Sequence, residues 1–177
     1  MQIAEIVASF PPHHGGTGYI CLRNSLALAE LGHDVTVFAI DYGDGEMEPE
    51  PSTIDIVRLK PIVKYCDGAL IPEIVQLLKG FDAFHLHYPF YGGAEFVWLA
   101  SVVNRTKYLL TYHMDVHGMS PLQKLILRVY SYVPERLIIG HASAVTGPGR
   151  DFLEQSRVAP ILRKTRIVDV LYGAVNH

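Results

Sequence analysis

Short apolar runs alternate along this chain with longer segments in which apolar residues recur at helical spacing. We predict strands at Ile3–Ala8, Val35–Ile40, Ile54–Leu59, Ala83–His87, Tyr108–Thr111, Arg136–Ile139, Ser143–Thr146 and Ile167–Leu171. We predict helices at Thr17–Leu31, Pro72–Lys79 (with a start as early as Cys66), Gly93–Asn104, Ser120–Val133 and Pro148–Gln155. Continuously apolar strands separated by helices need cover on both faces. The pattern therefore predicts an α/β domain with a doubly wound, mostly parallel sheet and helices on both faces.

The clearest predicted helix is Ser120–Val133. Its apolar positions follow the spacing i, i+3, i+4, i+7, i+8 and i+11, at Leu122, Leu125, Ile126, Val129, Tyr130 and Val133. Ser120 is a natural N-cap, and Pro134 is expected to stop the helix. Lys124 and Arg128 lie on its polar face, which we expect to be solvated. The alternative is a basic amphipathic helix that lies on an anionic membrane surface.

Composition narrows the class of protein. The chain has 177 residues, the size of one domain, and a formal net charge of −3. It has two cysteines, Cys21 and Cys66, without the spacing of a disulfide framework or a zinc finger. No block of lysine or arginine occurs, so we expect no nucleic-acid partner. The N-terminus does not resemble a signal peptide, and no apolar run approaches the ~18 residues of a membrane span. A cytoplasmic protein is the expectation.

The distribution of histidines is unusual. The chain has nine of them, and seven follow or close predicted strands: His13, His14, His85, His87, His113, His117 and His141. Ligands of open α/β sheets bind outside the carboxyl ends of the strands. A sheet order 3-2-1-4-5 would place the first, fourth and fifth predicted strands side by side. The sequence therefore predicts a binding site at this edge of the sheet.

A glycine-rich loop follows the first predicted strand. It reads Ser9-Phe-Pro-Pro-His-His-Gly-Gly-Thr-Gly18 and leads into a helix for which Thr17 is the expected N-cap and Gly32 the residue just past the end. Glycines at a helix N-terminus allow backbone N–H groups to approach an anion. The spacing is neither that of a dinucleotide fingerprint nor that of a P-loop. A turn that only positions the helix remains an equal alternative.

Two readings of the histidine edge remain open on residue chemistry alone. His85 and His87 project to the same side of a strand and, with His13, His113 and Asp115, could form the metal site of a hydrolase. The alternative is that His85 is a packed, hydrogen-bonded histidine and that His87 only lines the crevice. His113 follows an apolar strand and could act as a general base or form a hydrogen bond with a sugar hydroxyl, or it could be a loop residue without chemistry.

Several stretches, in this order, resemble the N-terminal domain of family 4 retaining glycosyltransferases, which have the two-domain GT-B fold. They are Phe10-Pro-Pro-His-His-Gly-Gly-Thr-Gly18, Leu28-Ala-Glu-Leu-Gly-His-Asp-Val-Thr-Val-Phe38, Phe84-His-Leu-His87, Leu110-Thr-Tyr-His113 and Ala144-Val-Thr-Gly-Pro-Gly-Arg-Asp-Phe-Leu153. The resemblance covers nearly the whole chain. It implies a Rossmann-like N-terminal lobe of a GT-B enzyme.

The resemblance also implies a reaction and a set of site residues. The reaction is metal-independent sugar transfer, with retention, from a UDP- or GDP-sugar to a carbohydrate or lipid-linked acceptor, with no tightly bound cofactor. His113 would bind the transferred sugar, and Gly15 and Gly16 the donor diphosphate or sugar. The acceptor side would be lined by His13, His14, His87 and Asp115.

The same resemblance implies a division of the enzyme into two lobes. Residues 1–171 would form the acceptor-side lobe, and residues 172–177 the start of a hinge to a C-terminal donor-binding lobe, the expected partner. The junction Val170-Leu-Tyr-Gly-Ala-Val-Asn176 departs from the family pattern, because Gly173 and Ala174 stand in its Asn-Gly places. We expect this lobe to be inactive alone. A metal-dependent hydrolase and a non-catalytic sugar-binding module remain the alternatives.

Overall fold

A computed structural model describes residues 1–13, 15–43, 51–65, 68–116 and 120–168 of the chain. Its strands are β1 (Gln2–Val7), β2 (Asp34–Ile40), β3 (Asp55–Leu59), β4 (Val63–Tyr65), β5 (Gly68–Leu70), β6 (Ala83–Tyr88), β7 (Tyr108–Tyr112) and β8 (Ala144–Thr146). Its helices are α1 (Gly16–Glu30), α2 (Ile74–Leu77), α3 (Ala94–Asn104), α4 (Pro121–Tyr132), α5 (Pro134–His141), α6 (Arg150–Gln155) and α7 (Ala159–Leu162).

The main sheet has six parallel strands in the order β3-β2-β1-β6-β7-β8. This order confirms the doubly wound fold and the predicted neighbourhood of the first, fourth and fifth predicted strands, which are β1, β6 and β7. The carboxyl ends of these three strands therefore meet at one edge of the sheet.

Apolar side chains cover both faces of the sheet. On one face, α1 contributes Cys21 to a cluster with Val7, Val37 and neighbouring residues. On the other face, α3 and α5 contribute residues such as Val97 and Ile138 to a larger cluster. β1 is buried from Ile3 to Val7, as expected for a central strand covered by helices on both sides.

One predicted strand is wrong. Arg136–Ile139 lies within α5, where Ile138 and Ile139 are buried against the core. A four-residue apolar run has no periodicity that separates a strand from a buried helix. Pro134 ends α4 as predicted, but it also opens α5, because proline is favoured at the first position of a helix. His141 consequently closes a helix and does not follow a strand.

The segment between β3 and β6 also differs from the prediction. The helix expected over Pro72–Lys79 is confined to Ile74–Leu77, and the residues before it form the antiparallel pair β4–β5. A helix that starts near Cys66 is therefore wrong, although residues 66 and 67 themselves lie outside the described part. Of the predicted strand Ile167–Leu171, the described residues show one parallel bridge between Val145 and Ile167. The predicted hinge 172–177 lies outside the described residues.

Some of the predicted helix-capping residues are confirmed and one is not. Gly15, and not Thr17, is the N-cap of α1, and no side chain caps it. Gly32 adopts a positive φ of 83° just past this helix, as expected of a glycine at that place. Ser120 caps α4: its hydroxyl accepts from the Gln123 N–H, and the Gln123 side chain accepts from the Ser120 N–H. Among the described residues, no helix is both long and apolar enough to cross a membrane.

Candidate functional site

The neighbouring strands β1, β6 and β7 bring a polar network together inside the sheet. The network consists of Glu5, His85, His87, Thr111 and His113. Strand register explains the meeting, because Glu5 pairs with His85 across β1–β6 and His87 pairs with Thr111 across β6–β7. His113 follows β7 directly, and its backbone N–H donates to the Tyr88 carbonyl at 2.9 Å. The network therefore ends at the carboxyl edge of the sheet.

Hydrogen bonds connect every member of this network. The two carboxylate oxygens of Glu5 contact Nδ1 of His85 at 2.9 Å and Nε2 of His87 at 2.8 Å. Nδ1 of His87 lies 2.8 Å from Nε2 of His113, and Nε2 of His85 lies 2.7 Å from the Thr111 hydroxyl. Glu5 and His87 are 0% exposed, and His85 and His113 are 8% exposed. The side chains therefore exchange hydrogen bonds with each other in place of water.

Burial and mutual charge set the protonation of these groups. Burial raises the pKa of Glu5, but the charges and hydrogen bonds of His85 and His87 outweigh it and lower the pKa to about 2. Burial lowers the pKa of His87, with a further contribution from His85. Burial, followed by the charges of His87 and His85, lowers the pKa of His113 to about 2. At neutral pH the network thus holds an ionised Glu5 and neutral imidazoles at His87 and His113.

Glu5, His85 and His87 also bear on the metal-site alternative. One ligand atom from each lies within 4.8 Å of the others, close enough to hold a metal ion in principle. Both oxygens of Glu5 and all four ring nitrogens of the two histidines already take part in hydrogen bonds. The group also has no exposed surface at Glu5 or His87 through which a water or substrate could reach a metal. We therefore interpret it as a hydrogen-bonded network.

The glycines of the loop before α1 differ in what surrounds them. A Cβ at Gly18 would lie 2.6 Å from the Ser9 carbonyl oxygen and 2.9 Å from Cα of Phe10, so Gly18 is required for α1 to pack on the loop. A Cβ at Gly15 would meet the Ser9 hydroxyl at 2.9 Å, whereas Gly16 has nothing within 4 Å. Of these three glycines, only Gly16 therefore borders open space. Gly18 serves the packing of α1, and the predicted contact of Gly15 and Gly16 with an anion stays a prediction.

The remaining predicted site residues are placed as follows. His13 stacks on Tyr42 with ring centroids 3.9 Å apart, and His14 lies outside the described residues. The Asp115 carboxylate accepts from the Tyr112 hydroxyl at 2.6 Å and from the Arg157 backbone N–H at 3.1 Å. His87 was expected to line the crevice on the acceptor side, but it is completely buried and contacts Glu5 and His113.

A second polar network was not predicted from the sequence. The Arg157 guanidinium donates to both oxygens of Glu135 at 2.7 Å, and the Tyr88 hydroxyl donates to the same carboxylate at 3.0 Å. Burial lowers the pKa of Arg157, but its contacts with Glu135 raise it above the ordinary value. This network ties α5 to β6 and to the residues after α6. Glu135 carried no sequence signal, because it lies between the predicted helix Ser120–Val133 and the predicted strand Arg136–Ile139.

Glu5 was also missed as a site residue, although its signal was present. It is the only charged residue in the predicted strand Ile3–Ala8. A charge inside a buried strand requires partners. The partners themselves come from strand register, which the local pattern does not reveal.

Comparison with known proteins assigns this fold to a class. No curated protein matches the chain. One similar solved structure is an alpha-glucosyltransferase in complex with UDP and a 13-mer DNA containing an HMU base, with a TM-score of 0.58 at 10% identity. Another is Anabaena HepE in complex with UDP, with a TM-score of 0.58 at 16% identity. The chain is covered over 96% and 98% of its length, but it spans only 41% and 44% of theirs.

The similarity to these two structures shows the fold, the Rossmann-like α/β arrangement of GT-B glycosyltransferases. The chain belongs to the family described as the Glycosyl transferase 4-like domain, whose family model matches residues 15–173. This membership confirms the resemblance to an N-terminal family 4 glycosyltransferase domain. The expectation that nucleic acid is no partner stays a prediction.

Proposed function

We propose that this domain is the acceptor-side half of a retaining, metal-independent glycosyltransferase. In this proposal a sugar passes from a UDP- or GDP-sugar to a carbohydrate or lipid-linked acceptor, and a donor-binding domain must face this edge before the chain can catalyse. The observation that carries the proposal is the convergence, within a family 4 domain, of the glycine loop before α1 and of His113 at the carboxyl ends of adjacent parallel strands. Both solved relatives hold UDP, which supports a nucleotide-sugar as the donor.

The roles follow from the surroundings of each residue. Backbone N–H groups at the start of α1, at Gly15 and Gly16, would stabilise the negative charge of the donor diphosphate. His113 would be the catalytic residue that forms a hydrogen bond with the transferred sugar. His13, His14 and Asp115 would border the acceptor. His87 would act through His113, because it has no surface of its own.

The test uses the complete reading frame that contains residues 1–177. We expect transfer from UDP- or GDP-sugars with retained anomeric configuration and no effect of chelators, and no transfer by residues 1–177 alone. His113→Ala should lower kcat/KM at least about tenfold, or ~1.4 kcal/mol of transition-state stabilisation. His33→Ala, in the turn after α1, is the matched control. An unaffected His113→Ala enzyme would remove the proposed role of His113, and chelator-sensitive, stoichiometric zinc would favour the hydrolase.

We also propose a peripheral contact between α4 and an anionic membrane. The apolar side chains of this helix and its C-cap face solvent, with 56–66% exposure at Leu122, Leu125, Ile126, Val129, Tyr132 and Val133. The helix contains Lys124 and Arg128 and no acidic residue. An apolar face beside cations is complementary to an anionic lipid surface. Such a contact would suit a lipid-linked acceptor.

Co-sedimentation with vesicles tests this contact. We expect binding to phosphatidylglycerol-containing vesicles and little binding to pure phosphatidylcholine. Replacing Leu125 and Ile126 by Gln should weaken binding at least about tenfold, or ~1.4 kcal/mol. Val103→Gln is the matched control, since Val103 is 63% exposed on α3. Absence of binding by the unmodified chain, or equal binding by the double variant, would contradict the proposal.

A further inference from the structure

In the buried network, the order of hydrogen-bond donors and acceptors is fixed, starting from the Glu5 carboxylate. An ionised carboxylate only accepts hydrogen bonds, so each ring nitrogen that touches it must carry a proton. Nδ1 of His85 and Nε2 of His87 both touch the Glu5 oxygens, at 2.9 and 2.8 Å. Both nitrogens therefore donate, and the tautomer of His87 is determined at its first contact.

The proton position on His87 in turn determines the proton position on His113. A neutral imidazole with its proton on Nε2 has no proton on Nδ1, which is then an acceptor. Nδ1 of His87 lies 2.8 Å from Nε2 of His113. His113 must therefore donate from Nε2, and as a neutral ring it has no proton on Nδ1.

We propose that Glu5 and His87 are positioning residues that fix the tautomer of His113, with the proton on Nε2 and with Nδ1 as the hydrogen-bond acceptor. This inference deepens the proposed function and rests on it in one respect: His113 is taken there as the residue that binds the transferred sugar. The tautomer itself follows from the network and does not depend on the reaction. The role is common where a carboxylate orients a catalytic histidine, here with a second histidine between them.

His85 and Thr111 form a branch that does not determine this outcome. Nε2 of His85 contacts the Thr111 hydroxyl at 2.7 Å, and a hydroxyl can donate or accept. Because Glu5 keeps a proton on Nδ1 of His85, the Thr111 hydroxyl can donate to or accept from Nε2 of His85 without any effect on His87. Thr111 is consequently a suitable control residue, because at 2% exposure it is buried like Glu5, His87 and His113.

The direct test is nitrogen-15 NMR of the histidine rings in this chain, at neutral pH and with ring signals assigned by single His→Gln variants. We expect His87 and His113 to be neutral and to carry their protons on Nε2. A proton on Nδ1 of His113, or a doubly protonated ring, would overturn the proposal. This measurement needs no substrate and no variant of Glu5.

Two variants separate a positioning role from a merely structural one. Glu5→Met removes the fixed acceptor at similar side-chain length, so His113 should lose its single tautomer and show signals of both. Thr111→Val should leave the His113 signals as they are in the unmodified chain. A single Nε2–H tautomer at His113 in folded Glu5→Met would overturn the proposal. Sugar transfer that is insensitive to His113→Ala would instead contradict the proposed function and leave the tautomer result in place.

Discussion

Acidification should destabilise this domain because it buries neutral histidines. The folded-state pKa of His113 is about 2, well below its ordinary value of 6.5. Between these two pH values His113 therefore binds a proton in the unfolded chain but not in the folded chain. A group with a depressed folded pKa contributes stability that is present above the unfolded value and is lost as the pH falls. The loss from His113 therefore begins near pH 6.5 and continues towards about pH 2.

The size of this loss follows from linkage. One proton bound only by the unfolded state changes the free energy of unfolding by ~1.4 kcal/mol per pH unit. Between about pH 7.5 and about pH 5, an unfolded pKa of 6.5 gives a loss of ~2 kcal/mol from His113 alone. Burial lowers the pKa of His87 as well, so it acts in the same direction. Glu5, whose pKa is lowered from 4.5 to about 2, adds its loss only at lower pH.

Urea unfolding at these two pH values is the assay. His113→Gln keeps a donor for Nδ1 of His87 but removes the titrating group, so its loss between the two pH values should be smaller than that of the unmodified chain by ~2 kcal/mol. His33→Gln, which lies outside the network, should show the unmodified loss. Equal losses in His113→Gln and in the unmodified chain would refute the assignment of His113 as a buried neutral ring.

Three further predictions concern stability and can be checked by the same denaturation. Gly18→Ala should destabilise the domain by ~1–3 kcal/mol, because the new Cβ would meet Ser9 and Phe10 backbone at 2.6 and 2.9 Å, whereas Gly16→Ala should not; similar values for both would contradict the packing argument. Arg157→Met should cost ~2–3 kcal/mol, because it leaves the charge of the 1% exposed Glu135 carboxylate without its cationic partner, and adding Glu135→Gln should recover part of the loss. An Arg157→Met variant as stable as the unmodified chain would show that the ion pair contributes nothing. Ser120→Ala should cost ~1 kcal/mol through the lost capping box, with Ser131→Ala as the control in the same helix.

The fold could be predicted because its main determinants are local. Apolar runs of strand length, separated by helices, specify a parallel sheet with helices on both faces, and the structure has that sheet in the predicted order. The strand predicted at Arg136–Ile139 failed because a run of that length fits a buried helix equally well. The periodicity of α4 predicted the helix and its cap, but not that its apolar face would point to solvent, since that depends on tertiary packing.

The sequence predicted several of the residues that lie at the edge of the sheet, but not which of them contact each other. His85, His87 and His113 could be assigned to one edge because parallel strands end at the same edge. Their connections to each other come from register: Glu5 lies opposite His85, and His87 lies opposite Thr111. Register is a long-range property, so the sequence could indicate that Glu5 needs partners without identifying them. The expected exposure of His87 failed for the same reason.

Register also explains why several histidines in this domain need not all contact a ligand. A buried carboxylate is costly unless hydrogen bonds satisfy both of its oxygens. Glu5 obtains them from His85 and His87, which are two positions apart in β6 and therefore project to the same side. Once His87 is committed to Glu5, its second nitrogen can only accept, and the ring beyond it must donate. The histidines of β6 thus satisfy Glu5 inside the sheet, and only His113, whose proton position they determine, lies at the edge of the sheet. A histidine-rich edge can therefore contain one histidine that faces a ligand and others that hold it in place. For this reason the tautomer of His113, more than the number of histidines, is the quantity to measure.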